Sequence, residues 1–116
     1  MSRPDGDVRT IDRKELVSRL EEDAPLRLVM ALNEWAFNAK HIPGSEHFNS
    51  SEEIFASLLP EDDIVVYCTS PDCHASVALY HELVEGGYPK VRRYAGGLSD
   101  WEEAGLPLEG NWVDQP

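Results

Sequence analysis

Positive charge is what this sequence has least of. Ten Lys and Arg residues stand against 22 Asp and Glu among 116, a formal net charge of −12. An acidic excess of that size opposes binding to phosphate backbones and anionic lipid surfaces, so neither nucleic acid nor membrane is expected as a partner. No apolar run approaches the ~20 residues that a membrane-spanning helix needs. The opening Met-Ser-Arg-Pro-Asp-Gly-Asp is polar and lacks the apolar stretch of a signal peptide, which makes the cytoplasm the expected location. There are no internal repeats and no low-complexity segment, while 41% hydrophobic and 28% charged residues suit an ordinary folded domain. At this length the expectation is one domain, residues 8–108, with a loose arm at 1–7 and a tail at 109–116.

Cysteine is equally scarce. Cys68 and Cys73 are the whole complement, too few for a disulfide scaffold. With only His74 beside them they fall short of a zinc cage, so no metal and no cofactor is expected. Two thiols five positions apart suit reactive or redox chemistry in a reducing compartment.

What the sequence does have is a strand leading into that cysteine pair. Ile64, Val65, Val66 and Tyr67 form a short β-branched and aromatic run bounded by polar residues, the pattern of a strand buried on both faces. Cys68 follows at its carboxyl end. Beyond Pro71, apolar residues at Val77, Tyr80, Leu83 and Val84 take up helical spacing as far as Gly86-Gly87, predicting a helix over 75–86. A cysteine between strand and helix faces the helix N-terminus and loop N–H groups. Such surroundings favour an anion and draw a thiol toward thiolate.

The rest of the chain alternates strands and helices. A strand is expected at 8–11, and a helix after Asp12 and Glu15, a capping box, with Leu16, Val17 and Leu20 inward and Asp23-Ala24-Pro25 at its end. Residues 26–32 read as a central strand. Asn33 is placed to cap a short helix over 34–40, whose Trp35 and Phe37 require apolar cover. His41-Ile42-Pro43-Gly44 is a turn, in which His41 bonds backbone, and 46–48 a brief strand. Ser50 with Glu53 forms a second capping box and Ser99 with Glu102 a third. The last strand is 91–94, where Arg92 and Arg93 point to opposite sides of a solvated edge. His47 and His81 are assigned to the surface, Trp101 to packing, and Trp112 lies past the domain. The sum is an α/β fold, a mostly parallel central sheet of about five strands flanked by helices on both faces.

In order and spacing, His41-Ile42-Pro43-Gly44, residues 64–68, Gly87-Tyr88, Gly96-Gly97-Leu98-Ser99-Asp100-Trp101 and Gly105-Leu106-Pro107 resemble the single-domain rhodanese (sulfurtransferase) family over about residues 11–107. The resemblance implies that Cys68 is the catalytic nucleophile. Its thiolate would take the outer sulfur of a donor such as thiosulfate and pass it, as a persulfide, to cyanide, a thiol or an acceptor protein. The loop Thr69, Ser70, Pro71, Asp72, Cys73, His74, Ala75 and Ser76 would bind the substrate through backbone N–H groups. His74 falls where many members carry Arg. Met30 and Leu32 stand where relatives carry Asp-x-Arg, Ala36 replaces a common acidic residue, and the loop is longer than usual and holds a second cysteine.

Two readings of Cys73 stay open, a loop-packing residue and a resolving thiol that forms a disulfide with Cys68 or takes its sulfur. The alternative function is a non-catalytic or redox- and sulfur-sensing module that uses both thiols. A phosphatase or arsenate reductase is less expected, because no Arg lies between Cys68 and Ser76 to hold an oxyanion.

Overall fold

The computed structural model describes residues 9–22, 26–31, 34–48, 50–69 and 74–111. Nine elements follow in order: β1 (Thr10–Ile11), α1 (Arg13–Glu21), β2 (Leu26–Met30), α2 (Glu34–Ala39), α3 (Ser51–Ser57), β3 (Asp63–Tyr67), α4 (Ala75–Glu85), β4 (Val91–Tyr94) and α5 (Gly97–Glu103). The four strands form one sheet in the order β1-β4-β3-β2, and every pairing is parallel. The fifth strand expected at 46–48 shrinks to one parallel bridge between Glu46 and Val29, because only the Glu46 backbone joins the ladder. Its N–H donates to Leu28 O at 2.7 Å and its carbonyl accepts from Met30 N–H at 2.9 Å.

β3 divides the core. Ile64 and Val66 face a cluster with Val29, Ile54, Leu58, Tyr80, Leu83 and Val91, under α3 and α4. Val65 and Tyr67 face a second, with Ile11, Leu16, Leu28, Met30, Leu98 and Trp101, under α1 and α5. A strand sealed on both sides must be apolar at every position, which is why this run reads as continuous rather than alternating.

In two of the expected capping boxes the N-cap bond forms. Asp12 accepts from Glu15 N–H at 2.8 Å and Ser50 from Glu53 N–H at 3.2 Å. The third does not. α5 starts at Gly97 with Gly96 as its cap, so Ser99 lies inside the helix and caps nothing. Asn33, the residues 23–25, Leu32, the arm and Trp112 lie outside the described residues.

The His41–Gly44 turn is fastened to β3. Gly44 takes φ +85°, a conformation costly for residues with a Cβ. Tyr67 Oη accepts from Ile42 N–H at 3.0 Å and shares a hydrogen bond with Ser45 Oγ at 2.9 Å. His41 binds the carbonyl of Phe37 through Nδ1 at 2.7 Å and stacks on the Phe37 ring. His47 also lies against Phe37, and His81 edges onto Tyr80 with a buried Nε2, so neither is the plain surface residue expected of it.

Burial raises the Tyr67 hydroxyl to about 12, against the opposing pull of its bonds to Ser45 and Ile42. The folded state therefore holds the proton more tightly than the unfolded chain, whose tyrosine titrates near 10. Stability from this group is intact below pH ~10 and is lost as pH rises through about 12. Urea unfolding followed from pH 9 to 12 should show that decline. Tyr67→Phe should cost about 1–3 kcal/mol at neutral pH by stranding Ile42 N–H, and should flatten the alkaline fall.

Candidate active site

Where β3 ends, the ladder is continued by a helix. Leu98 N–H donates to Cys68 O at 2.8 Å and Ser99 N–H to Thr69 O at 2.7 Å, both from the first turn of α5. These donors have no partner within their own helix, and the carbonyls of a strand running past its neighbours have none in the sheet, so each satisfies the other. Gly97 reaches this position with φ +68°. On the opposite flank Ala31 N–H donates to Tyr67 O at 2.8 Å. Cys68 is thus held by backbone on both sides of the strand end.

Alternation along β3 puts Cys68 on the α4 side with Ile64 and Val66. Its residue surface is 1% exposed, yet it belongs to neither apolar cluster. Sγ lies 3.7 Å from Thr69 Oγ1 and is engaged in a disulfide. The chain's one other cysteine, Cys73, lies outside the described residues together with Ser70, Pro71 and Asp72. Thr69 is exposed at the start of that segment.

The far side of the segment opens the helix expected over 75–86. Ala75 and Ser76 already belong to the first turn of α4. His74 is its N-cap, exposed and with no side-chain capping bond, so the helix N-terminus carries no side-chain acceptor of its own. Ser76 is fully buried. Its Oγ accepts from Arg93 Nε at 2.8 Å.

Arg93, which the sequence reading placed at a solvated edge, bonds the first turn of α4 instead. β4 lies between β1 and β3, so the expectation of a solvated edge for the arginine pair fails. The two do turn to opposite faces: Arg92 meets Asp63 at 3.1 Å and Glu15 at 3.3 Å, while Arg93 reaches α4. A signal was present, since a guanidinium in a strand of doubly wound sheet must find a polar partner on whichever helix covers it.

Among the described residues, two clefts open at this end of the sheet. One, of about 320 Å³, lies between α3 and α4 and is lined by Ala31, Phe48, Ile54, Ala75, Leu79 and Glu82. The other, of about 260 Å³, is bounded by Thr69, Met30, Trp35, Ala36, Leu98 and the Lys40–Glu102 ion pair, 3.0 Å long. Met30 borders both and is buried where the resemblance led to a charge. Trp35 is 65% exposed at the rim, against the expectation of apolar cover, because α2 turns Phe37 to the core instead. Among the described residues no group of three or more His, Cys, Asp or Glu side chains is placed to hold a metal ion, and no helix is long and apolar enough to cross a membrane.

The family model described as Rhodanese-like domain matches residues 12–104. Over 101 residues, 85% of the chain, the sequence is 31% identical to a helix-turn-helix-type transcriptional regulator of Mycobacterium tuberculosis. Over 57 residues, 49% of the chain, it is 39% identical to thiosulfate sulfurtransferase 18 of Arabidopsis thaliana. The chain spans 44% and 40% of these two curated relatives. Among solved structures, the rhodanese-like domain of an Anabaena protein superposes with a TM-score of 0.80 at 24% identity, over 96% of this chain and 82% of that one. The human single-domain sulfurtransferase gives 0.68 at 24%, over 88% and 97%. At these identities the structures speak for the fold.

Gly97→Ala tests the attachment of the strand end. A Cβ at this left-handed position should cost about 1–2 kcal/mol. Hydrogen exchange should then show faster exchange at Leu98 and Ser99 N–H than elsewhere in α5, and uniform change across the helix would contradict this account.

Proposed function

The chain belongs to the rhodanese-like domain family, and from that premise we propose that it is a sulfurtransferase whose Cys68 carries sulfane sulfur as a persulfide. The single observation that carries this reading is the position of Cys68, at the carboxyl end of the central strand and bound through its own carbonyl to α5. Sulfurtransferase-named relatives agree with it.

In the disulfide form the cysteine is too buried to meet a donor, so the cycle begins with two-electron reduction by two equivalents of an external thiol, which leave as their own disulfide. The freed Cys68 thiolate attacks the outer sulfur of thiosulfate. A new sulfur–sulfur bond forms, the bond to the sulfonate sulfur breaks, and sulfite leaves with the electron pair. Cyanide or an acceptor thiolate then removes the terminal sulfur and returns the thiolate. Amides of the loop and of the α4 first turn stabilise the anion at each stage, and no cofactor enters. Cys73 acts as the resolving thiol: attack on the inner persulfide sulfur expels hydrosulfide and closes the Cys68–Cys73 disulfide. We place the reaction in a reducing compartment, the cytoplasm, with small sulfur donors and thiol, cyanide or protein acceptors as partners.

A second reading is favoured by one specific observation, the engaged sulfur of Cys68. A module that closes this bond in response to oxidant or sulfane sulfur would be a sensor, and the similarity to a transcriptional regulator supports it.

Reduced protein should convert thiosulfate and cyanide to thiocyanate, and Cys68→Ser should fall to the buffer background. Undiminished turnover in that variant would contradict the proposal. Mild peroxide should inactivate the wild type reversibly, with recovery in dithiothreitol. Cys73→Ser should be inactivated without recovery, because Cys68 then oxidises past the stage a crosslink protects.

A further inference from the structure

The segment between Cys68 and Ser76 contains no arginine, yet a guanidinium reaches the first turn of α4 from another strand. Arg93 pairs with Val66 in the β3–β4 ladder. Cys68 lies two residues further along β3 on the same face. With strands ~4.8 Å apart and ~3.3 Å of rise per residue, the two Cα atoms stand about 8 Å apart, within reach of an extended arginine. Its Nε is seated on the Oγ of Ser76, which is fully buried in the first turn of α4. That turn receives no side-chain cap from His74.

We propose that Arg93 is the positioning residue of the site, holding the first turn of α4 against the sheet through Ser76 and placing a permanent cation on the face where the Cys68 sulfur emerges. The inference rests on the sulfurtransferase reading for its catalytic meaning, though not for its effect on the thiol. A guanidinium keeps its charge across the working pH range, whereas an imidazole does not, so this cation differs in kind from His74. The charged and titratable groups on the surrounding described elements include His74 at the α4 cap, His81 and Glu82 further along α4, Arg9, whose carbonyl accepts from Arg93 N–H and whose side chain lies on Tyr80 of α4, and Lys40 and Glu102, paired across the cleft beside Thr69. Arg92 and Asp100 turn to the opposite core, to Asp63 and Glu15 and to Tyr94 and Arg13 respectively. Asp72 adds a carboxylate in the intervening sequence, outside the described residues.

The test follows the alkylation rate of Cys68 against pH in fully reduced protein, read by peptide mass spectrometry so that Cys73 is scored separately. Arg93→Met should move the midpoint upward by about one unit, and the acid limb of thiocyanate formation should move with it. Arg93→Lys, which keeps the charge, should hold the midpoint near that of the wild type. Ser76→Ala should raise it by a smaller amount, since the guanidinium stays but loses its seat. An unchanged midpoint in either Arg93→Met or Ser76→Ala overturns the proposal whatever happens to turnover, as does a lysine variant that shifts like the methionine one. Should no variant form thiocyanate while the midpoints move as described, the sulfurtransferase reading fails and the role of Arg93 stands.

Discussion

Two backbone hydrogen bonds, from Leu98 and Ser99 N–H to the carbonyls of Cys68 and Thr69, set where the central strand stops being sheet. A parallel strand that outruns its neighbours would leave those carbonyls unpaired beside a packed core, at a cost comparable to a lost hydrogen bond each. The first turn of α5 meets that need with donors that every helix leaves over. The arrangement then propagates outward. Trp101 on α5 donates to Pro107 O at 2.8 Å, and Tyr94 Oη donates to Asp100 at 2.6 Å, which ties α5 to β4 and to the segment that follows it.

Elements governed by local rules were legible in the sequence. Asp12 and Ser50 cap because the acceptor and its donor sit three residues apart, and the β3 run reads as doubly buried because each of its side chains is. The same rule misplaced Ser99. There the helix begins three residues earlier, at Gly97, since the N–H groups of Leu98 and Ser99 are claimed by a distant strand, a tertiary bond that spacing does not encode. Trp35 failed for a related reason: both it and Phe37 are large and apolar, and only the packing of α2 chooses which turns inward. Alternation gave the opposed faces of Arg92 and Arg93, but not that their strand is internal, because strand order depends on crossover rather than composition. So the place of Cys68 after the central strand was legible, whereas the seat of Arg93 on Ser76 required the fold.

The electrostatic layout of the described residues has the same logic. The chain has few cations and places them in pairs at the joints of the sheet: Arg27 grips Glu46 with two bonds of 2.7 and 2.8 Å, and Arg19 and Arg92 share Asp63. The hydrogen bond to Glu46 raises the Arg27 pKa further above its ordinary value. Arg93 is the cation turned toward the α4 first turn, where the proposed chemistry develops negative charge on sulfur. Cys68 itself is held in a disulfide, and in the proposed function its reduction is the step that would present the sulfur to that field.

The account stands on Cys68 as a sulfur carrier, and intact-mass measurement after thiosulfate treatment of the reduced protein reads this most directly. One added sulfur atom per chain, located on the peptide containing Cys68 and removed by cyanide, is the result predicted. An unaltered mass, or sulfur retained elsewhere after cyanide, would contradict it.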